Sequence, residues 1–257
     1  MMEAKIRKPA VAGSFYAGDA KELRQDVQNC FSRCKNPLME NVQAVIVPHA
    51  GYVFSGVTAA SAFAAINPDA EYEHIFLLGP SHHVYLGKAS VNIGASAYAT
   101  PLGNVPVDTA LCKDLMEKSD AITYAPEAHE SEHCLEVELP FLQYHMKKIP
   151  SIVPIIIATQ ELTTLKKIAD TLKPYLNEKN LFVISSDFSH YPAYKDAEII
   201  DGLTKDSIMT GKVEAFVNAT LHNQELGIDH LATSACGMAP IATLLMMTEN
   251  DAKIKPH

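Results

Sequence analysis

IFLLGPSHH, running from Ile75 to His83, is an unbroken apolar run that stops at Gly79-Pro80 and ends in paired histidines. The same order recurs in VIVPHAGY, from Val45 to Tyr52, and in FVISSDFSH, from Phe182 to His190. A short run of Val, Ile, Leu and Phe closed by a Pro, Gly or Ser-Asp break reads as a buried strand. In open α/β sheets, ligands sit outside the carboxyl ends of the strands. If these three strands lie parallel and adjacent, then His49, His82, His83, Asp187 and His190 converge at one rim. A single histidine behind a strand is an ordinary loop or core residue. Three in equivalent places point to a shared site.

Further strands are expected on either side of these breaks, over Val42–Val47, His74–Leu78, Ala89–Ile93, Ile152–Ile157 and Leu181–Ser185. Between them lie helical patterns. Residues 19–34 place Leu23, Val27, Cys30, Phe31 and Cys34 at helical spacing, and Asp19 with Glu22 forms a capping box. Helices are also expected over 57–65, 107–117, 132–147, 162–172, 194–209, 213–221 and 238–247, with Pro140 kinking or splitting the one over 132–147. Strands separated by helices predict an α/β fold with a mostly parallel central sheet covered by helices. No linker or repeat interrupts the chain, so one domain over 1–257 is expected. Strand order does not follow from the pattern.

Bulk properties exclude several classes. The formal net charge of −9 repels a phosphate backbone, so nucleic acid is not an expected partner. The five cysteines are odd in number, scattered and without a CxxC pair, as in a reduced intracellular protein. The start, MMEAKIRKPAVAGSFY, lacks the continuous apolar segment of a signal peptide, and no apolar run approaches a membrane span. A cytoplasmic location is expected, with no membrane partner.

Two other segments carry chemistry. In SACGMAPIATLL, Pro240 is tolerated only in a first helical turn, with Ser234 or a neighbour as cap. Cys236 would then sit at or just before a helix N-terminus, where the partial positive charge favours thiolate. Two neutral imidazoles and a thiolate suit one transition metal ion. In EAHESEHCLEVELPF, from Glu127 to Phe141, His133 and Glu136 are three apart on one helical face. They suit a carboxylate orienting a metal-bound histidine, or a dinuclear site. Glu130 and Glu132 read instead as a solvated acidic edge. His83, extended beside His82, would face away from it and line the pocket or meet Tyr85.

Together these segments resemble the Memo family, named for a mediator of cell motility in animals. The matching pieces are RKPAVAGSFYAG, VPHAGYVFSG, LLGPSHHVYL, TPLGNVPVD, HESEHCLEVELPFLQ, VISSDFSHY and the Cys-Gly of SACGMAP, in this order from about Arg7 to Pro240. The resemblance implies a fold similar to the class III extradiol dioxygenases, which hold Fe(II) with two histidines and a glutamate. It puts the two histidines at His49 and His82, the glutamate position at Cys236 and the acid/base histidine at His190, with Asp187 beside it. It implies iron or copper bound by the His-His-Cys set; the softness of a thiolate ligand leaves zinc as a further candidate. It also implies AMMECR-type and radical-SAM proteins as partners in bacteria and archaea. Thiolate is softer than carboxylate, so ring-opening activity does not follow from the fold.

Three functions are therefore expected in competition. The first is a mononuclear metal oxidoreductase acting on a small-molecule or peptide substrate, with His190 and Asp187 as its catalytic pair. The second is a metal-handling or adaptor protein without turnover. The third is a zinc hydrolase, weakened because neither HExxH nor GxSxG is present.

Overall fold

The computed structural model describes residues 5–34 and 38–257; the remaining residues of the expected 1–257 domain, and the start of the N-terminal stretch read above, lie outside it. In chain order the elements are β1 (Lys5–Arg7), α1 (Ala20–Ser32), β2 (Ala44–Val47), α2 (Tyr52–Ala64), β3 (His74–Pro80), β4 (Lys88–Val91), β5 (Ala95–Thr100) and β6 (Gly103–Pro106). There follow α3 (Thr109–Lys118), β7 (Ile122–Thr123), α4 (Leu139–His145), β8 (Ser151–Ala158), α5 (Leu162–Leu172), β9 (Asn180–Ser185), α6 (Tyr194–Met209), α7 (Val213–Glu225) and α8 (Met238–Thr248).

The apolar runs form a six-stranded sheet in the order β2-β9-β3-β8-β4-β7. The first four strands are mutually parallel; β4 runs antiparallel to β8, and β7 runs parallel to β4. The fold is thus α/β with a mostly parallel sheet. From Ile75 to Pro80 every residue of β3 is buried, as is every residue of β9. A strand hidden on both faces must be covered on both, which is why these runs are continuous rather than alternating. α1, α2 and α4 pack on one another, and α5 packs on α8, which also meets α7. Among the described residues, no helix is long and apolar enough to cross a membrane.

Register decides where the histidines go. Val47 of β2 is level with Ser185 of β9, and Leu78 of β3 is level with Ile184. The late strand β9 enters between β2 and β3. The breaks after all three strands therefore open at one height and side by side.

Most expected elements form within a few residues of their predicted limits. Asp19 caps α1, its carboxylate accepting from the amides of Lys21 and Glu22 at 2.9 and 3.0 Å. α2 begins earlier than expected, at Tyr52. α8 follows Gly237, which takes the cap position expected of Ser234 or a neighbour.

Two features differ. The helix expected over 132–147 survives only as α4. Glu132 turns its carboxylate onto the amides of His133 and Cys134 at 3.0 and 3.1 Å, a local competition that breaks helices. Pro140 has no N–H to continue one backwards. His133 and Glu136 therefore do not share a helical face. A second sheet, β1-β5-β6, was not expected, because ASAYAT is too rich in small residues to show strand alternation.

Candidate metal centre

His49 leaves β2 directly behind Pro48 and is 2% exposed. Its backbone amide and that of Ala50 donate to Asp187 Oδ1 at 2.8 and 3.1 Å, so the β9 break holds the β2 break in place. The His49 ring is fixed from behind by Ser185, whose Oγ lies 2.7 Å from Nδ1. That leaves Nε2 pointing forward, 3.2 Å from Cys236 Sγ.

His82 repeats this arrangement with a carboxylate. Glu132 Oε2 accepts from the His82 amide at 2.7 Å, and Glu132 Oε1 lies 2.8 Å from His82 Nδ1. The ring also lies beside Cys236, one ligand atom of each within 4.8 Å of the other. Cys236 is placed by the turn before α8: its amide donates to Asp187 O at 3.2 Å, and the Gly237 amide donates to Ser186 Oγ at 2.9 Å. A Cβ on Gly237 would fall 2.4 Å from Ser186 Cβ and 2.7 Å from Ser185 O, so only glycine lets the two segments approach.

One ligand atom each of His49, His82 and Cys236 lies within 4.8 Å of the other two. Metal–nitrogen bonds of about 2.0 Å and metal–sulfur bonds of about 2.3 Å at a tetrahedral angle need an N···S separation of about 3.5 Å. The observed 3.2 Å would widen by a few tenths of an ångström. The donor set fits a transition metal in geometry and in chemistry.

Electrostatics agree. Burial, then the neighbouring His82 and His133, holds His49 well below its ordinary pKa, so its ring is neutral as a ligand must be. Burial also works against a charged His82, but hydrogen bonds and charges from Cys236 and Glu132 overcome it and raise His82 to about 10. Without metal, His82 carries a proton between the Cys236 sulfur and the Glu132 carboxylate. Burial works to raise Glu132, and His82 with the amides of His82 and Cys134 holds it down at about 2.

The remaining expected residues are distributed around this centre. His190 donates from Nδ1 to Phe188 O at 2.8 Å, which leaves Nε2 free, and it forms a second close group with Asp187 and Cys236. His133 stacks on His82 at 4.7 Å and meets His49 edge-on at 5.4 Å, lining the site; burial lowers its pKa. His83 is exposed, points at Ser131 O at 3.1 Å, and groups with Glu132 and His133 rather than with Cys236.

Glu136 does not orient a site histidine. Its carboxylate accepts from Arg7 at 2.7 Å, Tyr16 at 2.7 Å, and the amides of Ala10 and Val11 at 2.7 and 3.0 Å. The orienting carboxylate is Glu132, expected at a solvated edge but only 3% exposed; Glu130 is exposed as expected. Ser185 was not anticipated either. No local signal separates Glu132 from Glu130, because the difference is made by His82, 50 positions away.

Beside Cys236 opens a cavity of about 870 Å³, walled by Pro80, Ser81, Tyr85, Gln160 and Leu162.

Comparison with known proteins adds an independent finding. Residues 7–256 match the family described as "Memo-like protein". A MEMO1 family protein of Nitrosopumilus maritimus is 32% identical over 259 residues, covering 97% of this chain and 90% of that one. One from Methanopyrus kandleri is 32% identical over 251 residues, covering 93% and 86%. One from Schizosaccharomyces pombe is 37% identical over 198 residues, covering 74% and 62%. Among solved structures, an uncharacterized protein of Escherichia coli K12 aligns with a TM-score of 0.47 at 17% identity, over 72% of this chain and 78% of that one.

Proposed function

Because this chain belongs to the Memo-like family, we propose that it is a mononuclear metal protein of oxidoreductase type, with His49, His82 and Cys236 as ligands. One observation carries the reading. Ser185 and Glu132 occupy the rear nitrogens of the two histidines, so both rings turn their other edge toward Cys236 Sγ. Outer groups that fix ring orientation in this way are the usual companions of histidine ligands. A thiolate with two imidazoles favours copper, thiolate-bound iron or zinc over magnesium or calcium.

A bound iron or copper would supply one-electron and O₂ chemistry. The chain's own residues do the rest. His190, its Nδ1 spent on Phe188 O and its ring beside Cys236, is placed to accept a proton from a substrate group at Nε2 and return it. Asp187 holds the turn of His49 while its other oxygen lies 3.8 Å from His49 Nε2. A small molecule or a peptide side chain would enter by the cavity at Cys236. AMMECR-type and radical-SAM partners belong to the same proposal.

The test is metal analysis of protein purified without chelator or His-tag, beside His49→Gln, His82→Gln and Cys236→Ser. About one equivalent of metal is expected, lost in each variant but retained in His83→Gln. Retention in all four sinks the reading. A second reading, metal handling without turnover, draws support from His82, whose side chain is 28% exposed and open to exchange. Anaerobic reconstitution followed by O₂ uptake with candidate substrates separates the two.

A further inference from the structure

Glu138 is fully buried, and among the described residues no cation stands against it. Its Oε1 lies 3.0 Å from Ser185 Oγ, and its Oε2 has no hydrogen-bond partner among the described residues. Ser185 Oγ therefore meets three neighbours: Glu138 Oε1, Cys134 O at 2.7 Å and His49 Nδ1 at 2.7 Å. A hydroxyl has one proton and two lone pairs. The Cys134 carbonyl has no proton and can only accept, so it takes the Ser185 proton. Both remaining neighbours must then donate to Ser185.

We infer that Glu138 is a neutral carboxylic acid that donates through Oε1 to Ser185 and so positions His49 with its proton on Nδ1 and its lone pair on Nε2. Glu138 is a positioning residue: it touches neither the metal position nor the cavity. The assignment explains the orphaned oxygen, since an acid carbonyl left bare costs far less than half of a buried carboxylate. The groups facing Glu138 agree. Burial lifts its pKa well above the carboxylate range against the Ser185 hydrogen bond, and the charge of Asp187 adds to the lift. Tyr52 from α2 and Cys134 from its own segment offer no positive charge. Tyr52 spends its hydroxyl proton on Val137 O at 2.7 Å. Glu136, two residues earlier, takes the guanidinium of Arg7.

The consequence for metal binding rests on the ligand set proposed above; the protonation state does not, and the experiment separates them. Infrared spectra of the full chain, freed of metal and in D₂O at neutral pD, are compared with those of Glu138→Gln. The difference should contain the carbonyl stretch of an un-ionised acid. Ser185→Ala keeps Glu138 in place but removes its partner, so the same band should shift to higher frequency; this stands even if Glu138→Gln does not fold. A difference spectrum showing only ionised carboxylate overturns the inference, as does a band indifferent to Ser185→Ala. Co(II) titration then reads the positioning role. Glu138→Met, which cannot donate, should bind about tenfold more weakly, and Glu138→Gln, whose amide can, should stay within about twofold of the parent. Equal affinities in the two variants overturn the positioning role. Wild-type chain that shows the acid band but binds no Co(II) defeats the metal reading instead.

Discussion

The three breaks after β2, β9 and β3 and the segment from His129 to Glu138 meet at the same point but are built by different physics. The breaks are set by a hydrogen-bond ladder: parallel register puts Val47 level with Ser185 and Leu78 level with Ile184, and the loops inherit that alignment. The segment has no ladder and is held by three buried carboxylates in three different roles. Glu136 binds Arg7, Tyr16 and the N-terminal strand's continuation; Glu132 holds His82; Glu138 reaches His49 through Ser185. Sheet register delivers a histidine to a neighbourhood, whereas a carboxylate decides which way its ring faces.

If that division is right, removing an anchor from the segment should cost more than thinning the ladder. Arg7→Ala leaves Glu136 buried without its cation and should lose about 3–5 kcal/mol in denaturant unfolding of the metal-free chain. A loss under about 1 kcal/mol would show that the segment stands without its ion pair.

Gly237→Ala probes the junction of the two regions. Its methyl has no room against Ser186, and overpacking of this kind costs about 1–3 kcal/mol. Cys236 should move with it, so metal binding falls along with stability. Unchanged metal affinity would place the ligand elsewhere.

Glu132→Gln should weaken metal binding by about 10- to 100-fold. It also has a pH signature. The folded-state pKa of Glu132 lies below that of the unfolded chain, so its stabilisation is complete above about pH 4.3 and lost as pH falls toward 2. Wild type should therefore exceed Glu132→Gln in stability at pH 7, and the gap should close in acid. Glu138 has the opposite sign. Its pKa is raised on folding, so it costs stability above about pH 4.3, where only the unfolded chain ionises. Glu138→Gln should melt higher than wild type at pH 7 and lose that advantage near pH 4. Parallel pH profiles for the two variants would erase the distinction between the carboxylates.

The smallest effect belongs to the ladder. Ile184→Val should cost about 0.5–1.5 kcal/mol and leave metal binding unchanged, because it removes one methyl from a strand whose register is fixed by its backbone. A metal defect there would mean that side-chain packing, rather than pairing, places the rim.

The same division explains what was legible beforehand. A strand buried on both faces is an apolar run, and its end is a break, so the neighbourhoods of His49, His82 and His190 can be read from adjacent letters. Cys236 was legible because Pro240 marks a helix start. Glu132, Glu136 and Glu138 look alike in sequence, all acidic and within seven residues of one another. Their roles come from His82, Arg7 and Ser185, 50, 129 and 47 positions away. Helical spacing from 132 to 147 pointed to a helix that these distant partners outcompete. The small sheet stayed hidden because its strands carry few large side chains.

The placement of β9 between β2 and β3 also has a consequence on the ribosome. While the chain is being made, β2 and β3 emerge long before the strand that joins them, each with an unpaired edge. His49 and Cys236 are 187 positions apart, so the last ligand emerges only after the strands of the described sheet have been made. High contact order of this kind slows folding and exposes strand edges to wrong partners. A nascent chain has two histidine turns with nothing to align them, so metal capture becomes a late checkpoint on a finished sheet rather than a nucleus for building one.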